Sequence, residues 1–248
     1  MAKQKSFITF TGTLGGLNFY YRNGVPVVRQ AGGGFNGKAI KTKASMQRVR
    51  ENASEFGHCS SVKKHYRLAL KPLLGMVKDT SQHGRMMTLF TKLKDLDTGN
   101  VRGQRRVAGG VATAMGKKLL REFDYSPACD VKGIVGGDWD FDFGTGVFTV
   151  TDFTIKRVPF PEGATHVGLQ LGRMHFDFAT MEDGLAVSAP LVLDADFAGT
   201  SISLTVDAPS QAGTAIVVVQ LRFYQAVDGE LYALEGESNT GLRVLGVV

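Results

Sequence analysis

The sequence contains few cysteines and no long apolar run. Its two cysteines, Cys59 and Cys129, belong to no C-x-x-C pair, so they cannot form a disulfide framework and they suit a reducing compartment. No run of about 18 apolar residues is present, and the start MAKQKSFITFTG lacks the apolar stretch and cleavage site of a signal peptide. We therefore expect synthesis in the cytoplasm, with incorporation into a virion or another released assembly as a later step, and no membrane partner.

Motifs of catalytic or metal chemistry are also missing. There is no G-x-S-x-G elbow, and the glycine-rich stretches AGGGFNGK and VAGGVATAMGKK do not match the phosphate loop G-x-x-x-x-G-K-[ST]. Flexibility or close helix packing explains these glycines better. The five histidines lack the paired spacing of a zinc site: His58, His65, His83, His166 and His175. We expect no enzymatic activity, no cofactor and no metal.

What the sequence does have is a strong charge asymmetry. Residues 1–136 contain 24 basic and 8 acidic residues, a net charge of +16, whereas residues 137–248 contain 5 and 15, a net charge of −10. The net charge of the whole chain, +6, is the sum of these two opposite charges. Such an asymmetry bears on binding partners rather than on the fold.

The first 30 residues read as strands. The runs SFITFTGTLGG and LNFYYRNGVPVVRQ are rich in β-branched and aromatic residues, and Gly15-Gly16 and Asn23-Gly24 are turn dipeptides. They predict a hairpin or a three-stranded meander, with Pro26 near an edge or a strand start. AGGGFNGKAIKTK then reads as a flexible basic linker. An isolated hairpin is at best marginally stable, so this arm packs either on its own chain or on another copy.

Three or four helices are predicted next. The first carries Met46, Val49, Ala53 and Phe56 on one face, and the second carries Val62, Tyr66, Leu70 and Leu73. Ser60 or Ser61 is the expected cap of the second helix, and Pro72 its expected kink. Met86, Phe90 and Leu93 mark a third helix. A fourth segment, over residues 104–123, is weakened by its glycines.

The periodicity falls to two after residue 136. Seven or eight strand-length runs in the last 112 residues, separated by turn signals, are typical of an antiparallel β-sandwich, and the apolar run over 215–219 marks a central strand. The predicted fold class is α+β. The predicted domains are a hairpin arm with its linker (1–37), a basic helical domain (38–136) and an acidic sandwich (137–248).

Three stretches carry a family resemblance. GTLGGLNFYYRNG, QRVRENASEFG and VRGQR (residues 101–105) are similar to segments of an uncharacterised family from Bacteroidota genomes and from the phages and mobile elements of those bacteria. The resemblance covers about the first 110 residues. It implies a phage-like context, and it carries over no activity, cofactor or catalytic residue.

The most suggestive local pattern is GGDWDFDFGTG. Asp138, Asp140 and Asp142 alternate with aromatic residues, so three carboxylates share one strand face. They could hold calcium, but the spacing is not that of an EF-hand, because the glycine falls one place late and position 12 is Thr149. The better interpretation is a strand with its acids in water, which makes these residues a candidate acidic contact face.

The cations of the basic half have three interpretations: nucleic-acid binding, contact with the acidic face of a neighbouring copy, or a solvated helix surface. We favour the second, because the acidic half supplies a partner of the right sign. The candidate contact residues for nucleic acid or a neighbouring subunit are Arg48, Arg50, Lys63, Lys64, Arg67, Arg102, Arg105 and Arg106.

The favoured function is a self-assembling structural subunit of a phage-related particle, tube or filament, in which successive copies meet through opposite charges. The N-terminal hairpin would then pair with a neighbour's sheet edge. The alternative is a nucleic-acid-binding protein that uses the basic helical half. A ligand- or sugar-binding sandwich, with Trp139 as its one tryptophan, ranks third.

Overall fold

The computed structural model describes residues 2–5, 8–31 and 37–248. These residues form two compact units, residues 1–50 and residues 51–248. The helices are α1 (Gly37–Thr42), α2 (Gln47–Ala69), α3 (Lys71–Leu74), α4 (Gln82–Asp95), α5 (Val107–Val111), α6 (Ala114–Arg121) and α7 (Val131–Val135). The strands are β1 (Ala2–Lys3), β2 (Gly12–Leu14), β3 (Leu17–Arg22), β4 (Val25–Gln30), β5 (Asp138–Asp142), β6 (Val147–Thr151), β7 (His166–Phe176), β8 (Asp183–Val187), β9 (Leu191–Asp194), β10 (Ile202–Thr205), β11 (Thr214–Val227), β12 (Glu230–Ala233) and β13 (Thr240–Val247).

The N-terminal unit contains an antiparallel sheet in the order β1-β4-β3-β2. Strands β2, β3 and β4 form the three-stranded meander that was one of the two predicted arrangements. Their turns are Gly15-Gly16 and Asn23-Gly24, and all four residues have positive φ angles between 51° and 76°. Two-residue turns of this kind match the twist of the flanking strands, and glycine and asparagine tolerate them best.

Two details of the predicted arm are corrected. Residues 8–11 are not a strand, and Ser6 and Phe7 lie outside the described residues, so the first run contributes only β2 among the described residues. The predicted linker includes a helix, α1, because its Lys-Ala-Ile-Lys stretch favours helix formation; residues 32–36 lie outside the described residues. Pro26 is the second residue of β4, near a strand start as predicted.

The first two predicted helices are one continuous helix, α2, so neither Ser60 nor Ser61 caps a helix start. Its buried face carries Cys59, Val62 and Tyr66. Phe56 was predicted to be buried and is exposed, because the buried stripe of α2 runs through Glu55 and Cys59, and Phe56 lies beside it. The break before Pro72 is confirmed: α2 ends at residue 69, and Pro72 is the second residue of α3, where its missing N–H is tolerated.

The weak fourth segment is divided into α5 and α6. Gly110 of α5 packs so closely on α4 that an added Cβ would lie 1.7 Å from the carbonyl oxygen of Leu93. This contact supports close helix packing as the reason for the glycine-rich VAGGVATAMGKK stretch. Among the described residues, no helix is long and apolar enough to cross a membrane.

The C-terminal part is an antiparallel, sandwich-like arrangement of two sheets. The larger sheet has the order β12-β11-β7-β8, with β13 on β11 and β9 on β7; the smaller has the order β10-β6-β5. Two of the predicted strands, over residues 164–172 and 173–180, are largely the single strand β7. Strand β11 is the predicted central strand, since it pairs with β7 on one side and with β13 on the other.

The larger sheet is covered on both faces. Ile216 and Val218 belong to a core shared with the helices, whereas Val219 and Leu221 belong to a core shared with the smaller sheet. This arrangement explains the continuous apolar run of β11, because alternate residues face two different layers. The ring centroids of Tyr66 in α2 and Phe176 in β7 lie 5.4 Å apart. The change of charge at residue 136 is therefore not a break in packing: residues 51–248 share a continuous compact unit.

Candidate functional site

One face of the N-terminal sheet is apolar. In the register of the sheet, Leu14 lies opposite Leu17, and Phe19 lies opposite Val28. Tyr21 follows on the same face, because alternate residues of a strand point to the same side. We call these five residues the N-terminal apolar face. Leu14 is 71% exposed and Leu17 is 42% exposed.

This sheet buries little apolar surface of its own. In the described part of residues 1–50, Val27 is the one buried apolar side chain. The segment before β2 covers part of the apolar face: the rings of Phe10 and Phe19 lie 5.9 Å apart, and the hydroxyls of Thr9 and Tyr21 lie 2.5 Å apart. Phe10 is itself largely exposed, so its ring extends the apolar surface rather than closing it.

The predicted contact cations fall into different environments, and those near residue 50 are in the N-terminal unit. Arg48 is exposed. Arg50 donates hydrogen bonds from Nη1 to the carbonyl oxygens of Ile40 and Lys43, at 2.5 and 2.9 Å. A cation at these carbonyls is stabilising, because they lie at the negative end of α1. Arg50 is therefore engaged within its own unit.

Arg105 belongs to a buried ionic network. Its Nε and Nη2 atoms donate to the two carboxylate oxygens of Glu55, at 2.9 and 2.8 Å, and Glu55 is only 3% exposed. The Nζ atom of Lys94 lies 2.9 Å from Glu55 and 2.6 Å from Asp95. The N–H of Gly103 also donates to Glu55, at 2.7 Å. Both oxygens of Glu55 are thus fully engaged, which is what a buried charge requires.

The charges in this network hold Glu55 ionised. The bidentate hydrogen bond from Arg105 lowers the pKa of the Glu55 carboxyl well below its ordinary value of 4.5, against the opposing effect of burial, and Lys94 lowers it further. The same carboxylate raises the pKa of the Arg105 guanidinium. Arg105 therefore stabilises the fold and is not presented to a partner.

The two neighbouring arginines differ. Arg102 lies 3.3 Å from Glu51 and donates a 2.9 Å hydrogen bond to Asn52, so it ties its loop to α2. Arg106 has an exposed side chain, while its backbone N–H donates to Asp97 at 2.7 Å. Arg102 and Arg105 are therefore paired with carboxylates, and Arg106 takes part in none of the ion pairs between described side chains.

Lys63, Lys64 and Arg67 are brought together. They line a cleft of about 680 Å³ beside α2, together with Ser60, Leu68, Lys71 and His83. We call this the α2 cleft. Lys71 and His83 are not among the predicted contact residues, and the structure adds both to this cleft. The three- and four-residue spacing of Lys64, Arg67 and Lys71 could have placed Lys71 beside the other two cations. No sequence pattern indicates that His83, which belongs to α4, lies in the same cleft.

The acidic strand β5 has the predicted alternation. Asp138, Asp140 and Asp142 are exposed, and the aromatic residues between them are partly buried. Asp142 accepts hydrogen bonds from the N–H of Gly144 and the hydroxyl of Thr145, both at 2.8 Å. These bonds lower the pKa of Asp142. Two of its oxygens are thus used in its own turn, which leaves Asp138 and Asp140 as the more available acids of this face.

Trp139, the residue behind the sugar-binding alternative, is engaged locally. Its indole N–H donates a 2.7 Å hydrogen bond to the carbonyl of Gly136, and the ammonium of Lys132 lies 4.6 Å from the ring centroid. An aromatic platform for a sugar needs an open ring face, and one face here already carries a cation. The geometry gives no specific support to the sugar-binding alternative.

The cysteines and histidines do not converge. Burial raises the pKa of the Cys59 and Cys129 thiols to about 11. His58 accepts a 3.1 Å hydrogen bond from the N–H of Val107 at the start of α5. Across residues 2–5, 8–31 and 37–248, no group of three or more His, Cys, Asp or Glu side chains is placed to hold a metal ion.

Comparisons with protein families, with curated proteins and with solved structures found no match to this chain.

Proposed function

We propose that the protein is a self-assembling structural subunit whose copies associate through the N-terminal apolar face. The observation that carries this proposal is the exposure of Leu14 and Leu17 on a four-stranded sheet that buries almost no apolar side chain of its own. Small sheets need a covered apolar face for stability, and exposed apolar patches mark association surfaces. A second copy is the occupant, since it supplies an identical apolar surface.

The sheet also offers an edge. Strand β2 is the outer strand in the order β1-β4-β3-β2. Edge strands pair readily with a strand from another chain. Pairing of β2 with a neighbour would extend the sheet and bury Leu14 in the same step. Repeated contacts of this kind produce closed rings or open helical polymers, depending on the rotation between copies.

Opposite charges add a second contribution to the proposed assembly. Asp138 and Asp140 are exposed on β5 and take part in none of the ion pairs of the described residues. The +16 charge of residues 1–136 supplies cations to meet them on a neighbouring copy. The resemblance of the first segments to a phage-associated family supports a phage-related particle, tube or filament as the assembly.

The test compares a double variant of the apolar face with a matched control. Leu14→Ser with Leu17→Ser removes two apolar side chains from the face; Val101→Ser with Met115→Ser removes two that are 69% and 52% exposed in the other unit. A buried leucine contributes about 1.5–3 kcal/mol, and about 1.4 kcal/mol is a tenfold change in association constant. The double variant should therefore associate at least about 100-fold more weakly, as measured by sedimentation velocity and electron microscopy.

The control variant should assemble like the wild type. A wild-type chain that stays monomeric at high concentration, or a double variant that assembles normally, would overturn the proposal. Raising the salt from about 50 mM to 1 M shortens the Debye length from roughly 14 Å to 3 Å, so a loss of assembly at high salt measures the charge contribution. Assembly that is indifferent to salt assigns the contact to the apolar face alone.

A further inference from the structure

The α2 cleft carries an uncompensated positive charge. Lys64, Arg67 and Lys71 are exposed along its rim, and no carboxylate lines it among the described residues. In the same part of the chain, Lys94 and Arg105 are paired with carboxylates at 2.6–2.9 Å, whereas no described ion pair involves a lysine or arginine of the cleft. The cleft therefore has the charge and the shape of an anion site.

Lys63 lies in the wall of the cleft and is 4% exposed. Its Nζ atom lies 3.1 Å from both ring nitrogens of His83, and a neutral imidazole has one acceptor nitrogen. Burial, followed by the nearby Arg67 guanidinium, lowers the pKa of the Lys63 ammonium. A buried lysine without a carboxylate is costly, and an anion in the cleft would compensate its charge.

The cations are arranged in a row. Lys64 and Arg67 lie three residues apart in the last turns of α2, and Lys71, four residues further on, is the first residue of α3. Seven residues at the helical rise correspond to about 10 Å. A row of this length suits several successive phosphates better than a single one. Leu68, half exposed between the cations, offers an apolar contact for a sugar or base.

We propose that the α2 cleft binds the phosphate backbone of a nucleic acid. Lys64, Arg67 and Lys71 contact successive phosphates, and Lys63 is the cation at the wall of the cleft. The acidic face of a neighbouring copy fits less well. β5 is a short strand on which Asp142 already accepts two hydrogen bonds from its own turn, which leaves two acids for the four cations of the cleft.

The test measures the binding of a fluorescent single-stranded oligonucleotide by anisotropy as a function of salt. Four phosphate contacts give a slope of about −2.8 in log K against log salt, which is about a 50-fold loss of affinity between 50 and 200 mM. The triple variant Lys64→Gln, Arg67→Gln, Lys71→Gln leaves one contact, so its affinity should fall only about threefold over this range. It should also bind more weakly than the wild type at the lowest salt.

The matched control removes the same charge elsewhere. Lys92→Gln, Lys118→Gln and Lys156→Gln alter three exposed lysines outside the cleft, and this variant should keep the affinity and salt slope of the wild type. If both triple variants lose the same affinity for the oligonucleotide, the binding depends only on net charge and the proposal is overturned. The absence of oligonucleotide binding by the wild type at low salt would also overturn it. Inorganic phosphate is added at a concentration equal to that of the phosphate groups of the oligonucleotide. If it displaces the oligonucleotide, the cleft is a site for a small anion and the proposal is overturned. If the cleft variant instead loses self-association and the wild type binds no oligonucleotide, the cleft is a contact between copies.

Discussion

Removing the charge of Glu55 should destabilise the protein strongly. Glu55→Gln keeps the size of the side chain but replaces one oxygen by a hydrogen-bond donor. The oxygens of Glu55 accept four hydrogen bonds at 2.7–2.9 Å, from Arg105, Lys94 and Gly103. In the variant, the buried Lys94 and the partly buried Arg105 lose their main counter-ion. Breaking a buried ion pair by removing one partner costs about 3–5 kcal/mol.

The assay is thermal and denaturant unfolding near neutral pH. For a unit of 150–250 residues, 1 kcal/mol corresponds to about 2–4 °C in Tm, so a loss of about 3 kcal/mol should lower Tm by about 6–12 °C. Asp95→Asn is the matched control, because Asp95 binds the same two cations but its side chain is 50% exposed. An exposed pair contributes at most about 1 kcal/mol. Equal Tm values for the two variants would refute the assigned role of the buried network.

The pH dependence gives an independent check. The pKa of Glu55 is lower in the folded protein than its ordinary 4.5, so at acidic pH the unfolded chain binds a proton that the folded chain does not. Its contribution to stability is complete above pH 4.5 and is lost as the pH falls towards the folded pKa. The stability difference between wild type and Glu55→Gln should therefore shrink between pH 6 and pH 3. A difference that stays constant would contradict the depressed pKa.

Two further predictions concern packing. Gly110→Ala should severely destabilise the fold, since its Cβ would overlap a backbone carbonyl of α4, whereas Gly57→Ala in α2 meets no atom within 4 Å and should stabilise the helix by up to about 1 kcal/mol; the two denaturation midpoints should move in opposite directions. Tyr66→Phe should cost about 1–3 kcal/mol, because it leaves the buried hydroxyl of Tyr125 without its 2.6 Å partner, and an unchanged midpoint would show that the hydroxyl finds another partner.

Periodicity predicted much of this fold because it records which side of an element is buried. The spacing of Val62, Tyr66 and Leu73 identified the buried side of the helices, and each is buried. The same reasoning failed for Phe56, because the buried stripe of α2 passes through the charged residue Glu55, which an apolar pattern does not include. The continuous apolar run of β11 indicated a central strand, but it could not show that helices form one of the two covering layers.

The candidate surfaces were harder to predict, because the use of a cation depends on contacts distant in sequence. Arg105 and Lys64 are alike as positive residues of a basic segment. The carboxylate of Glu55, fifty residues away in sequence, pairs with Arg105 and makes it a partly buried structural residue. None of the ion pairs between described residues involves Lys64. His83 approaches Lys63 only because α4 packs beside α2. The apolar face of the N-terminal sheet was missed for a different reason: the two strand-like runs gave no register, and the face depends on Leu14 lying opposite Leu17 and Phe19 opposite Val28.

The charge of a segment is therefore informative only after its internal pairs are removed. Of the cations in the basic half, Lys94, Arg102 and Arg105 are neutralised within the fold, so they add to the +16 without adding to a binding surface. Of the cations left over, Lys63, Lys64, Arg67 and Lys71 share the α2 cleft, whereas Arg48, Lys92 and Arg106 lie outside it. The two proposed surfaces also lie in different stretches of the chain, residues 14–28 and residues 60–83. Serine substitutions on the apolar face change no charge, and glutamine substitutions in the cleft remove no apolar side chain, so self-association and polyanion binding can each fail without the other.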